Sequence, residues 1–214
     1  MSGNTWTVFG MGNLVWDVFD AIASNDDIVC FVVLNMKVQP SLLTKIPNDV
    51  KVLELERFSP ETDMYCFGFV DPKKEALLGQ LKEMQLNFAN VAHRFSYVSP
   101  LASLGRGNFI GAGVVLGPYV QFGNFNFANR CASVGHDSRV GNFNHLGPGT
   151  TVAGRCVIGD RNFLGAGSVV IDGITIKDGV TLGAGATAVK DLLDPATYVG
   201  TPAVKLPPNK VSQS

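Results

Sequence analysis

Stepping by six from Val98, the chain runs through Val98, Leu104, Ile110, Leu116, Phe122, Ala128, Val134, Val140, Leu146, Val152, Ile158, Leu164, Val170, Ile176, Leu182 and Ala188, every one of them apolar. Apolar residues make up 46% of the sequence, so sixteen in succession arise by chance on the order of once in several hundred thousand. Gly follows the anchor in ten of these sixteen units. A six-residue unit is too short for a pair of helices and suits one short strand plus one turn. Three units then close a triangular coil, and successive coils stack about 4.8 Å apart. Asn108, Asn126, Asn144 and Asn162 fall in register at the spacing of one such coil, so their amides can hydrogen-bond along the stack. Phe109, Phe127, His145 and Phe163 stand beside them. Each precedes an inward anchor, so alternation puts this column outside, where an aromatic stripe is expected to form a subunit interface.

The first 90 residues lack the beat. "TWTVFGMGN" reads as a strand entering a Gly-rich turn, "LVWDVFDAIASN" has helical spacing, and "DIVCFVVLNM" is a second strand, together a βαβ opening. "DMYCFGFVD" supplies a third strand and "PKKEALLGQLKEMQLNF" an amphipathic helix. The expected organisation is an α/β domain over 1–90, a β domain with a C-terminal extension over 91–206, and a loose Pro-rich tail over 207–214. Gly10 and Gly12 satisfy part of a dinucleotide fingerprint, but Val15 stands where its third Gly belongs and no acid closes the second strand. This half therefore reads either as a holder of a nucleotide-linked ligand or as a structural cap.

A net charge of -1 with scattered Lys and Arg leaves no basic stripe for nucleic acid. No stretch approaches the length of apolar sequence that spans a membrane, so a soluble cytoplasmic protein is expected. Cys30, Cys66, Cys131 and Cys156 show no ligand-like spacing and read as reduced thiols, with Cys131 and Cys156 packed within the repeats.

The stretch "CASVGHDSRVGNFNHLGPGTTVAG" holds two of the three histidines. An amine or hydroxyl attacking a thioester must lose a proton, and an imidazole, titrating near about 6.5, suits that work. His136 occupies a turn and is followed by Asp137, a carboxylate that could hold its tautomer. The plainer readings are a solvated turn histidine at 136 and interface packing at His145. A zinc site needs three converging ligands, and the coils contain only His136 and His145 after His93, so no metal is expected.

Units of the form aliphatic–Gly–x–x–small–x resemble left-handed parallel β-helix acyltransferases. The order here, a small nucleotide-fold domain followed by uninterrupted coils, is similar to the bacterial sugar O- and N-acetyltransferases. Those include sialic acid O-acetyltransferases and the UDP-4-amino-sugar N-acetyltransferase of the bacillosamine pathway. "VFGMGN", "AHRFSYVSPLA", "VGHDSRVGNFNHLGPGTTVAG", "FLGAGSVVIDG" and "VGTPAVK" carry the likeness. The resemblance implies a left-handed coil, a homotrimer, and acetyl-CoA as co-substrate bound in grooves between subunits. It implies His136 as general base supported by Asp137, and His145 with the backbone at Ala166 and Ala184 as acetyl-CoA contacts. It also implies a nucleotide sugar held at Gly12, Asn13, Asn35, Met36 and Gly68. The family's first turn carries Gly-His where this chain has Gly12–Asn13, and an acidic pair where it has Asn35–Met36. The implied activity is N-acetylation of a nucleotide-linked amino sugar, the alternatives being a sugar or sialic acid O-acetyltransferase and an idle trimeric scaffold.

Overall fold

The computed structural model describes residues 3–12, 14–34, 40–70 and 73–207. The chain opens with β1 (Thr5–Phe9), α1 (Val15–Ala23), β2 (Ile28–Leu34), α2 (Pro40–Leu43), β3 (Lys51–Glu54), β4 (Met64–Phe67) and α3 (Lys73–Leu81). The four strands form one parallel sheet in the order β3-β2-β1-β4. β3 was not anticipated from the sequence, because as an exposed edge strand it shows no inside–outside alternation. α1 buries Val15, Val18, Ala21 and Ile22, the i, i+3, i+7 stripe expected of a helix lying on a sheet.

From β5 (Val91–Ala92) to β21 (Thr187–Ala188), seventeen two-residue strands follow at a strict interval of six. The beat therefore begins one unit before Val98. The strands stack in three parallel sheets, here called face 1 (β5, β8, β11 and onward), face 2 (β6, β9, β12 and onward) and face 3 (β7, β10, β13 and onward), the walls of a left-handed β-helix. The anchors point inward, and Ile110, Leu116, Ala128, Leu146, Leu164, Ile176 and Leu182 are wholly buried. A hairpin of β22 (Thr197–Val199), which runs parallel to the last strand of face 1, and β23 (Val204–Lys205), which runs antiparallel to β22, finishes face 1.

Every sixth residue from Gly107 to Gly185 adopts positive φ, marking the corners. Seven of these positions are not glycine, among them Tyr119, Asp137 and Arg155, so the device is masked in the sequence. The asparagine ladder forms as expected: Asn108 Oδ1 accepts from the Asn126 N–H at 2.9 Å, Asn126 Oδ1 from Asn144 at 2.8 Å, and Asn144 Oδ1 from Asn162 at 2.8 Å. A second ladder, Asn124, Asn142, Asp160 and Asp178, runs with opposite polarity in the same corner. Its residues share the one-coil spacing, so the same test applied at those positions finds it.

The aromatic column corrects one expectation. Phe109 and Phe127 do face outward from face 1, but they are buried under the N-terminal unit of the same chain, in one core with Trp6, Val8, Val18 and Ile22. Phe125 likewise enters a cluster with Phe67, Phe88 and Leu81. Polar ties reinforce the docking, including Arg130 to Asp17 and Arg161 to Glu75, each at 3.2 Å, and His93 to Asp20 at 3.2 Å. An outward column needs a cover, and alternation says nothing of whether another subunit or the chain itself supplies it.

Candidate active site

His136 lies in the corner between β12 (Ser133–Val134) on face 2 and β13 (Arg139–Val140) on face 3. Its Nδ1 is 2.8 Å from Asp137 Oδ2, and both side chains are about half exposed. Adjacent residues seldom face each other. Here the positive φ of Asp137, +58°, folds its carboxylate back beside the preceding ring. With Nδ1–H donating to that carboxylate, the Nε2 lone pair is left open. The ring tip lies over Gly154, one coil on, where an added Cβ would sit 2.7 Å from Nε2. Arg155 and Asp172, paired to each other, complete the rim.

His145 belongs to β14 (His145–Leu146) on face 1, between Phe127 and Phe163, with ring centroids 5.5 Å and 4.9 Å away and both contacts edge-on. Its Nε2 is buried and finds no partner among the described residues. Burial first, and the Lys74 ammonium second, pull its pKa down to about 4. His145 is therefore neutral at physiological pH. This carries a stability consequence of definite sign. Below about 6.5 the unfolded chain takes a proton that the folded chain refuses until about pH 4, so stability falls on acidification through that window. The expected loss is on the order of 3 kcal/mol. Urea unfolding of wild type and His145→Phe at pH 7 and pH 4 checks it, since phenylalanine fits the column and should flatten the pH slope.

Ala166 and Ala184 are exposed one coil apart in the corner between faces 1 and 2, and among the described residues neither amide donates a hydrogen bond. They suit an extended ligand that accepts from backbone N–H groups. In the N-terminal sheet, β1 lies between β2 and β4, so the chain departs from it in both directions, the arrangement that opens a crevice at strand C-termini. Gly12 and Gly68 meet there, the Gly12 N–H donating to the Gly68 carbonyl at 3.1 Å. A Cβ on Gly68 would come 2.6 Å from the Gly10 carbonyl oxygen, so only glycine lets these turns close together. Asn13, Asn35 and Met36 lie outside the described residues.

The structure thus joins His136 to Asp137 and Gly12 to Gly68, but it does not join the two histidines. In a triangular prism the corner between faces 2 and 3 stands opposite face 1, so His136 is turned away from His145 and from the N-terminal unit. Cys131 also departs from expectation: it is exposed at a positive-φ corner instead of packed inside. Cys156 is buried, its thiol 3.2 Å from the Ile171 carbonyl oxygen. Lys74, buried on α3 beside His145, was not singled out in the sequence, because only the docking of α3 on face 1 brings it there. Among the described residues no group of three or more His, Cys, Asp or Glu is gathered to hold a metal. No helix among them is long and apolar enough to cross a membrane.

The bacterial transferase hexapeptide family (six repeats) matches residues 155–188. No curated protein matches the chain by sequence. Among solved structures, a histidine-to-asparagine mutant of perosamine N-acetyltransferase from Caulobacter crescentus, in complex with CoA and GDP-perosamine, is 26% identical. It aligns over 95% of this chain and 97% of its own with a TM-score of 0.83. The acetyltransferase domain of PglB from Neisseria gonorrhoeae FA1090, in complex with acetyl coenzyme A, shares the fold at 24% identity. It aligns over 95% of this chain and 100% of its own with a TM-score of 0.84. WeeI from Acinetobacter baumannii AYE shares it at 22% identity, over 94% and 99%, with a TM-score of 0.76.

Proposed function

We propose that this chain is an acetyl-CoA-dependent N-acetyltransferase that acts in the cytoplasm on a nucleotide-linked amino sugar, with His136 as general base. The observation that carries the reading is the His136–Asp137 pair, with Nδ1 engaged at 2.8 Å and Nε2 open above Gly154. The Caulobacter enzyme, similar along nearly the whole chain, supplies the substrate class. As the acceptor nitrogen bonds to the thioester carbonyl carbon, His136 Nε2 takes the proton that nitrogen releases. Asp137 stabilises the imidazolium, which returns the proton to the departing thiolate as the carbon–sulfur bond breaks. No covalent enzyme intermediate is involved.

Residues 91–206 act as the acetyl-CoA domain in this scheme, with His145 and the free amides of Ala166 and Ala184 as contacts, and 207–214 as a tail. Residues 1–90 hold the acceptor at the crevice built by Gly12 and Gly68, with Asn13, Asn35 and Met36 proposed as further contacts. His136 faces away from its own N-terminal unit, so the complete site needs a second subunit, which a homotrimer provides. Light scattering should give three times the monomer mass at micromolar concentration. A monomer would leave His136 without its acceptor.

Turnover of isotope-labelled acetyl-CoA over amino and hydroxyl sugars linked to UDP, CMP, GDP and dTDP tests the activity. Transfer to nitrogen on one of them is the expected result; transfer to oxygen only makes it an O-acetyltransferase, and no transfer makes it a scaffold. Gly154→Ala should fold, because the atom in its way is the tip of a mobile imidazole, yet lower kcat/KM by roughly 10–10²-fold by displacing that tip. Unchanged activity in that variant would mean Nε2 works elsewhere.

A further inference from the structure

Between α3 and face 1 lies a cavity of about 170 Å³ whose apolar walls include Val70, Phe143 and Phe163. Its polar lining is Lys74, Asn144, His145, Asn162 and Arg161, the last already paired with Glu75. Three features of it go unused by the fold. Lys74 is 5% exposed, its ammonium standing 5.7 Å from the centre of the Phe67 ring and 5.9 Å from that of Phe127, with no carboxylate against it among the described residues. Glu75, its sequence neighbour, is taken by Arg161. The adjacent Cys66 thiol is pushed up by burial and stays uncharged, so it gives no counterion. His145 Nε2 is the second feature, buried without a partner. The third is Asn162. Asn108, Asn126 and Asn144 each give Nδ2 to an acceptor, but Asn162 Nδ2, in a residue 2% exposed, has none among the described residues.

Buried polar groups are almost always partnered, and a buried ammonium is costly unless an anion meets it. Three such groups beside one cavity match a ligand that supplies acceptors and a negative charge. Aromatic faces offset part of the ammonium's lost hydration without neutralising it. The volume is well below that of a site for a whole nucleotide, which takes about 300 Å³ or more, so a terminal group enters and the rest of its molecule stays outside. A carboxylate has the single charge, the planar shape and the acceptor count to meet Lys74, His145 and Asn162 together.

We propose that this cavity is a carboxylate subsite, read by Lys74, His145 and Asn162, that selects a carboxylate-bearing substrate for the transferase. The inference rests on the transferase reading above and sharpens its substrate class. The carboxylate can arrive on the acceptor sugar or at the far end of the acyl group, and two matched pairs separate these sources: UDP-glucuronate against UDP-glucose, and succinyl-CoA against acetyl-CoA. Binding of each is measured by calorimetry to the full chain, with free acetate and inorganic phosphate as competitors.

The wild type is expected to bind the carboxylate member of one pair at least tenfold more tightly, and acetate is expected to compete more strongly than phosphate. Lys74→Met, which keeps the volume and loses the charge, should abolish the preference while leaving circular dichroism unchanged; Lys74→Gln serves if that variant fails to fold. No preference in either pair with the wild type overturns the proposal, as does a preference that survives loss of Lys74 or stronger competition by phosphate. Acetyl transfer with no carboxylate preference removes only the subsite. A preference without any transfer removes only the transferase reading.

Discussion

Replacing His136 by alanine is expected to lower kcat by about 10²–10⁴ while the coil stack stays folded, the usual worth of a positioned general base. The side chain is half exposed and among the described residues its polar partner is Asp137, so removal should cost stability little. Loss of activity would then be chemical. Circular dichroism and the urea midpoint should match wild type, and a kcat within tenfold of wild type would remove His136 from the reaction. Asp137→Asn should hurt less, because asparagine tolerates the positive φ at this corner and still accepts from Nδ1.

The largest expected stability change lies on face 1. Phe127→Ala should destabilise the protein by about 3–5 kcal/mol, the range for a fully buried aromatic whose cavity fails to collapse. Phe127 is wholly buried, stacks on Phe109 with centroids 4.2 Å apart, and shares a core with Trp6 and Val8. Its surroundings come from two units of the chain, so the void is bounded by elements that the rest of the fold holds apart. Urea unfolding checks the value, and a loss under about 1 kcal/mol would mean that the N-terminal unit does not depend on this contact. The same geometry bears on truncation. Residues 90–214 alone would expose Phe109, Phe125 and Phe127, so point substitutions at Gly12 and Gly68 separate acceptor binding from folding more cleanly.

The coil stack was legible because each unit has one inward anchor that must be apolar whatever else varies, whereas the second buried position, two residues earlier, also takes Asn108, Ser138 or Thr150 and hides its beat. The left-handed corners were not, because seven non-glycine residues, including Tyr119, Phe125 and Arg161, occupy a conformation that glycine alone would have advertised. His136 could be singled out because its partner is its sequence neighbour. The face opposite it was hidden. Val8, Lys74 and Phe127 meet through docking of two units, and nothing in the spacing along the chain encodes which apolar stripe covers which. Strand β3 of the N-terminal sheet escaped for a related reason, since Lys51–Glu54 is exposed at an edge and its place is fixed by pairing with β2 and not by its own pattern.

The hairpin that finishes face 1 bears on filament growth. A stack of parallel coils ends in a row of unsatisfied N–H and C=O groups, and the first coil of another molecule would be a close match for them. Here β23 turns back antiparallel to β22, and Lys205, held to Asp194 at 2.9 Å, puts a cation on the outermost strand. An incoming parallel strand meets the wrong polarity and an ion pair it would have to displace. On face 1, the repeat that makes the molecule easy to extend by one more coil is thereby closed to a parallel neighbour, so growth by simple coil-on-coil stacking is disfavoured along that wall.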